Sequence, residues 1–167
     1  MNWIFGNNIN TDLITPGRFN ITTNPQELAR VAFIEHRPEF AKQVKSGDFV
    51  IAGHNFGCGS SRETAVTALK YSKIKAVVAQ SFARIFYRNA LNQGLLVLVA
   101  DTSQIKATDN LKLDFKHHQI VNQTQGSRIT FQMPAVMMKL YQANGIIEYI
   151  KKHGLDSIED LFIQKDI

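Results

Sequence analysis

Apolar residues fall into short runs, the first two of which are followed by a glycine or polar turn and then by a segment of helical spacing. The runs are Phe49-Val50-Ile51-Ala52-Gly53, Ala76-Val77-Val78-Ala79 within the strand candidate Lys75–Ala79, and Leu95-Leu96-Val97-Leu98-Val99. Continuous apolar stretches of this length predict strands buried on both faces. Between the first two runs, Ser61–Tyr71 sets Ala65, Ala68 and Leu69 on one side at helical spacing. Between the second and third, Ser81 predicts the cap of a helix running to Gln93, with Gly94 as its left-handed stop. Strand, helix, strand, helix, strand predicts parallel pairing through right-handed crossovers, a βαβαβ core.

Residues 111–133 change character. Leu111–Phe115, Gln119–Asn122 and Ile129–Met133 read as short antiparallel strands joined by polar turns. Pro134 suits the first turn of a helix through Tyr141, and Ile146–Lys152 reads as another. The N-terminal quarter predicts a strand at Trp3–Phe5, an irregular loop over Asn7–Thr23 and a helix over Pro25–Ile34. Long ordered loops often carry function. The fold class is α/β, a mixed sheet with a parallel core and an added β layer.

The 167 residues suggest one domain, 1–167, at roughly 150 residues per domain. Hydrophobic residues at 44% and charged residues at 20% are ordinary for a globular chain. The net charge of +5 raises the question of nucleic acid. The lysines and arginines are scattered, without the concentrated basic patch and interleaved aromatics of a nucleic-acid face, so no such partner is expected. The single cysteine excludes an intramolecular disulfide and cannot hold an iron–sulfur cluster alone. With no signal-peptide pattern at the N-terminus and no run of ~20 apolar residues, a soluble cytoplasmic protein without a membrane partner is expected.

The chemistry concentrates in Gly53-His54-Asn55-Phe56-Gly57-Cys58-Gly59-Ser60-Ser61-Arg62-Glu63. Glycines at a strand exit let backbone approach a ligand, and two hydroxyls with an arginine then open a helix whose N-terminus favours anions. Arg62 adds a planar fork that matches a carboxylate or phosphate. The phosphate-loop lysine is missing, and Arg62 stands where the dinucleotide fingerprint or a hydrolase elbow needs glycine. Ser61 occupies the second-cysteine position of the papain-type signature. An anion site with candidate nucleophilic or basic hydroxyls remains. Against it stands a structural reading in which Ser60 and Glu63 form a capping box. Cys58 reads as a small packed residue and His54 as a scaffold residue, since no metal-type partner lies at ligand spacing. Arg84 and Arg88 read as solvent or interface residues, and His117-His118 as a polar turn.

The same loop, Gly53-x-Asn55-Phe56-Gly57-x-Gly59-Ser60-Ser61-Arg62-Glu63, resembles the signature of the aconitase-superfamily swivel domain. It is most similar to that of the stand-alone small subunits of 3-isopropylmalate dehydratases. Ser81–Asn89 with Gly94-Leu95, and Asn10–Phe19, resemble two further blocks of that family, in the same order and at family length. The resemblance implies a swivelling three-layer β/β/α domain and a reversible dehydration and rehydration of a dicarboxylate substrate. It implies a [4Fe–4S] cluster on a separate large subunit and none on this chain, which binds no metal itself. Ser60 falls at the catalytic base; Arg62, assisted by Ser61, would hold a substrate carboxylate, and Asp12 would orient a partner in the site.

One position departs from the family pattern. Ile21 stands where Leu-Arg usually supplies an arginine in the loop associated with substrate selection, and Arg18 is the nearby cation. Ile21 suits an apolar substrate end, so the expected substrate is 2-isopropylmalate. A homoaconitase or another alkylmalate or citraconate hydratase is the alternative enzyme, and a basic binding module without catalysis is the other class. Self-association of the free subunit is left open.

Overall fold

The computed structural model describes residues 1–162; residues 163–167 of the expected domain lie outside the described residues. Seven strands form one sheet: β1 (Asn2–Ile4), β2 (Phe49–Ala52), β3 (Ala76–Ala79), β4 (Val97–Ala100), β5 (Leu111–Asp114), β6 (Gln119–Asn122) and β7 (Ser127–Gln132). Their order is β1-β2-β3-β4-β7-β6-β5, with the first four parallel and the rest antiparallel. All four residues of β2 and of β3 are buried, as unbroken apolar runs in a covered parallel sheet should be.

Two helices make the crossovers, α4 (Glu63–Tyr71) and α5 (Arg84–Gln93). Because β2, β3 and β4 follow one another in one direction, right-handed crossovers put both helices on the same face, where they pack together. The predicted βαβαβ core is therefore present. β4 begins two residues later than expected, because the Leu95 N–H turns back to the Ala90 carbonyl (2.9 Å) to finish α5. Gly94 makes that turn at φ +70°, the predicted left-handed stop.

The meander β5–β6–β7 is the added β region, and it joins the parallel half through β7. Thr130 pairs with Gln119 of β6, whereas Phe131 and Gln132 pair with Ala100 and Val99 of β4. Along β7 half-buried and exposed residues alternate until Phe131, which is buried, as expected where one face meets solvent.

Several boundaries differ from the sequence expectation. The helix read over Pro25–Ile34 ends early, as α2 (Pro25–Arg30). Phe33 turns into the left-handed region at φ +56° and is drawn into an aromatic cluster. Its ring lies 4.3 Å from Phe5 and 5.0 Å from Phe40, and burying three such rings outweighs one further helical turn. Phe40 belongs to α3 (Glu39–Gln43), a helix not read from the sequence. Pro134 caps α6 (Ala135–Gln142) rather than entering its first turn, and α7 (Ile146–His153) follows Gly145. A last helix, α8 (Ser157–Phe162), likewise has no counterpart in the sequence expectation. No helix among the described residues is long and apolar enough to cross a membrane.

Candidate active site

The parallel pairing of the first strands continues past their ends, and this continuation builds the site. Beyond β1 and β2 the two exit loops run side by side. The Gly53 N–H reaches the Gly6 carbonyl (3.2 Å), Gly57 reaches Ile9 (2.7 Å), and Thr11 reaches Cys58 (2.8 Å). On the other side, the Phe56 N–H donates to the Ser81 carbonyl and Ala83 donates to Phe56. The glycine loop is thus a central strand-like segment held between the exits of β1 and β3. This explains a correction to the sequence reading. Ser81 does not cap α5, whose N-cap is Ala83 without a side-chain bond. Its hydroxyl instead accepts the Asn55 N–H at 2.8 Å and fixes the loop.

Gly57 sits at φ +78°, where a Cβ would overlap the Phe86 ring of α5. Gly57→Ala is expected to cost about 1–2 kcal/mol for the left-handed backbone and about 1–3 kcal/mol more for overpacking. Thermal unfolding checks this; an unchanged melting temperature would show that Phe86 is free to move aside.

The irregular loop expected over Asn7–Thr23 contains a four-residue helix, α1 (Thr11–Ile14), and a 3₁₀ turn at Gly17–Phe19. Asn10 caps α1 by accepting the Leu13 N–H at 2.8 Å, so Asn10-Thr11-Asp12 is a helix start. This start brings two residues of the N-terminal loop against two of the glycine loop. Thr11 meets Ser60: its Oγ1 lies 3.1 Å from the Ser60 carbonyl and 3.3 Å from Ser60 Oγ. Asp12 meets Arg62: Arg62 Nη1 donates to Asp12 Oδ1 and, at 3.2 Å, to the Thr15 carbonyl. Gly17 lies beside the same guanidinium, where a Cβ would stand in ordinary contact with its nitrogens, 3.4 Å from Nη2.

The capping box does not form. Helix α4 starts at Glu63 with Arg62 as its N-cap, and no side chain bonds its first-turn amides. The Ser60 carbonyl is already taken by the Arg62 N–H at 2.8 Å, a tight turn that keeps Ser60 ahead of the helix. An uncapped helix start leaves donors for an incoming anion. Among the described residues Arg62 Nε and Nη2, and the backbone N–H groups of Ser60 and Ser61, have no partner. The arginine is three-quarters buried, with 25% of its side chain exposed, and is anchored by one nitrogen with the rest of its fork free. Ser60 and Ser61 are exposed.

Ser60, Ser61, Arg62 and Asp12 are therefore gathered at one open edge, with Thr11 as a residue not singled out from the sequence. The Asn-Thr-Asp start of α1 was its only signal. The other two predicted residues, Arg18 and Ile21, follow Gly17 on the same loop, which is tied to the start of α4 by the Thr64 hydroxyl donating to Asn20 Oδ1 at 2.8 Å. Arg18 forms an ion pair with Glu35 at 2.7 Å and covers the Phe19 ring. Ile21 is 91% exposed and lines a cleft with Phe19, Thr22, Glu27 and Val31. Cys58 is a free, half-buried thiol. His54 is exposed and held through its backbone N–H, which donates to Asn7 Oδ1 at 2.7 Å.

An exposed hydroxyl next to an anchored guanidinium and free amides can bind a carboxylate and stabilise an anionic oxygen beside it. An exposed half-site is also what remains when a second body supplies the opposite wall.

Comparisons with known proteins identify what the chain is similar to. Residues 2–103 match the aconitase C-terminal domain family. The chain is 49% identical over 154 residues to 3-isopropylmalate dehydratase small subunit 2 of Archaeoglobus fulgidus, covering 91% of this chain and 93% of the relative. It is 45% identical over 152 residues to the methanogen homoaconitase small subunit of Methanocaldococcus jannaschii, covering 90% and 89%. A crystal structure of 3-isopropylmalate dehydratase from the latter organism superposes with a TM-score of 0.88 at 43% identity, covering 95% of this chain and 96% of that one. The fold expected from the resemblance is borne out.

Proposed function

The chain belongs to the aconitase C-terminal domain family, and from that premise we propose that it is the small subunit of a 3-isopropylmalate dehydratase. This hydro-lyase moves a hydroxyl group between adjacent carbons of 2-isopropylmalate, a step of leucine biosynthesis. The observation that carries the reading is the open Ser60–Arg62 edge, with Arg62 anchored by Asp12 and α4 left uncapped.

In this reading Arg62 offers Nε and Nη2 to a substrate carboxylate, and Ser61 with the free backbone amides adds donors. Ser60 Oγ takes the proton from the carbon beside that carboxylate. The electron pair of the broken C–H bond becomes the carbon–carbon double bond as the hydroxyl leaves the neighbouring carbon, a departure for which the large subunit's cluster would supply the Lewis acid. Adding water back across that bond in the opposite sense gives 3-isopropylmalate. A serine is a weak base unless its anion is stabilised, which Arg62, the uncapped helix start and the amides supply.

A [4Fe–4S] cluster does not fit this chain. It wants three or four thiolates, and Cys58 is the one cysteine of the sequence. No group of three His, Cys, Asp or Glu residues suited to a metal occurs among the described residues. We place the cluster on a separate large subunit, which closes over the exposed edge, and the pair in the cytoplasm. Residues 1–167 act as one swivel-type domain in that assembly.

The substrate follows from the loop near Arg18 and Ile21. A substrate ending in a second carboxylate needs a cation for it, since an unpaired buried charge is costly. Arg18 is already paired with Glu35, whereas Ile21, Phe19 and Val31 offer an apolar surface. Competition kinetics with the assembled enzyme are expected to give a higher kcat/KM for isopropylmalate than for homoaconitate. The reverse order, lost on Arg18→Ala, would move the assignment to the tricarboxylate class.

A further inference from the structure

We propose that Thr11 is a positioning residue for the Ser60 base, holding its hydroxyl when neutral and donating to it when deprotonated. The proposal rests on the reading of Ser60 as the base and adds a group that this reading does not use.

Thr11 is 1% exposed, although it lies directly behind an exposed serine. Its Oγ1 is within reach of two atoms of the same residue, the Ser60 carbonyl at 3.1 Å and Ser60 Oγ at 3.3 Å. A hydroxyl has one proton and two acceptor lone pairs. With Ser60 neutral, Ser60 Oγ–H donates to Thr11 Oγ1, and Thr11 donates onward to the Ser60 carbonyl. With Ser60 deprotonated, the Thr11 proton turns to Ser60 Oγ and makes a charge-assisted bond from its buried side. The carbonyl is not orphaned by that switch, because it keeps the Arg62 N–H at 2.8 Å.

The surroundings hold Thr11 for this task. Its backbone N–H donates to the Cys58 carbonyl (2.8 Å), and its carbonyl accepts the Thr15 N–H (2.9 Å). Branching at Cβ stiffens χ1. Gly59, at φ +96°, brings the loop so close that a Cβ there would stand 3.4 Å from Thr11 Oγ1. A threonine needed only to shape the turn would have the carbonyl contact alone; the second contact falls on the atom assigned to the chemistry.

The test uses the assembled enzyme with Thr11→Val, which keeps the shape and removes the hydroxyl. A hydrogen bond to a charged group supports an expected fall in kcat of about 10–100-fold, with KM within about twofold because uniform substrate binding is untouched. Thr11→Ser should restore most of kcat. In a Ser60→Ala background, Thr11→Val should have no further effect, since the group that it serves is gone. Thr11→Ala is measured alongside, so that poor packing of valine cannot mimic the loss.

A wild-type kcat for Thr11→Val and Thr11→Ala would overturn the proposal. So would a loss that persists undiminished in the Ser60→Ala background, or one expressed as a raised KM that serine does not rescue. If Ser60→Ala alone kept full turnover, the reading of Ser60 as base would fail, and this proposal with it.

Discussion

Ser60→Ala is expected to cut the turnover of the assembled dehydratase by roughly 10²–10⁴-fold, the range for a positioned proton-transfer group. The chain should fold almost as before. Ser60 is exposed, and Arg62 rather than Ser60 stands at the N-cap of α4, so no helix cap is lost. Without the capping role, the cost of about 1 kcal/mol usual for removing a capping serine does not apply. What disappears is the contact with Thr11 and the oxygen facing the substrate. Cys58→Ser is the matching control: that thiol is half-buried, two residues away, and has no assigned chemistry, so most activity should remain. Steady-state kinetics and melting curves of both variants check the assignment. Full activity in Ser60→Ala with loss in Cys58→Ser would reverse it.

Arg62→Lys is expected to be nearly as damaging, although it keeps the charge. The guanidinium does two things at once: Nη1 is anchored on Asp12 and the Thr15 carbonyl, while Nε and Nη2 have no partner among the described residues and can take a ligand. Lysine has one nitrogen and cannot both hold that anchor and present a planar fork to a carboxylate. Losing one side of a hydrogen-bonded charge pair costs about 2–5 kcal/mol, roughly 30- to 5,000-fold in kcat/KM. The loss should appear in catalysis rather than stability. Asp12 is more than half exposed, and an ion pair of that kind contributes about 0–1 kcal/mol to folding. Wild-type kcat/KM in the lysine variant would rule out bidentate recognition by Arg62.

Much of the parallel half could be read from the chain. The runs at Phe49, Ala76 and Val97 have no polar interruption, and such runs have few other places to go than a covered sheet. Gly94 was equally legible, because only a residue tolerant of positive φ ends a helix that way. The misreadings share a cause: local motifs were given local partners, and tertiary contacts claimed them. Ser81 and Ser60 both looked like helix caps, yet one holds the Asn55 amide and the other pairs with Thr11, 49 residues away in sequence. Helix propensity past Arg30 lost to the aromatic cluster that takes in Phe33. In the candidate site, Ser60 to Arg62 and Asp12 carried the signal, whereas Thr11 became visible only once the two loops lay side by side. Arg18 and Ile21 follow Gly17 on the loop beside the Arg62 guanidinium, where Arg18 pairs with Glu35 and Ile21 faces solvent.

The central claim is that this chain is one half of a hydro-lyase, carrying the base and the carboxylate-binding arginine but not the cluster. Titrating the purified chain into a cluster-loaded large subunit, and following isopropylmalate dehydration, tests it most directly. The chain alone should be colourless and inactive, and activity should rise with added chain to a plateau at a fixed ratio. A brown preparation with stoichiometric iron and sulfide on this chain alone, or no activity at any ratio, would contradict the account.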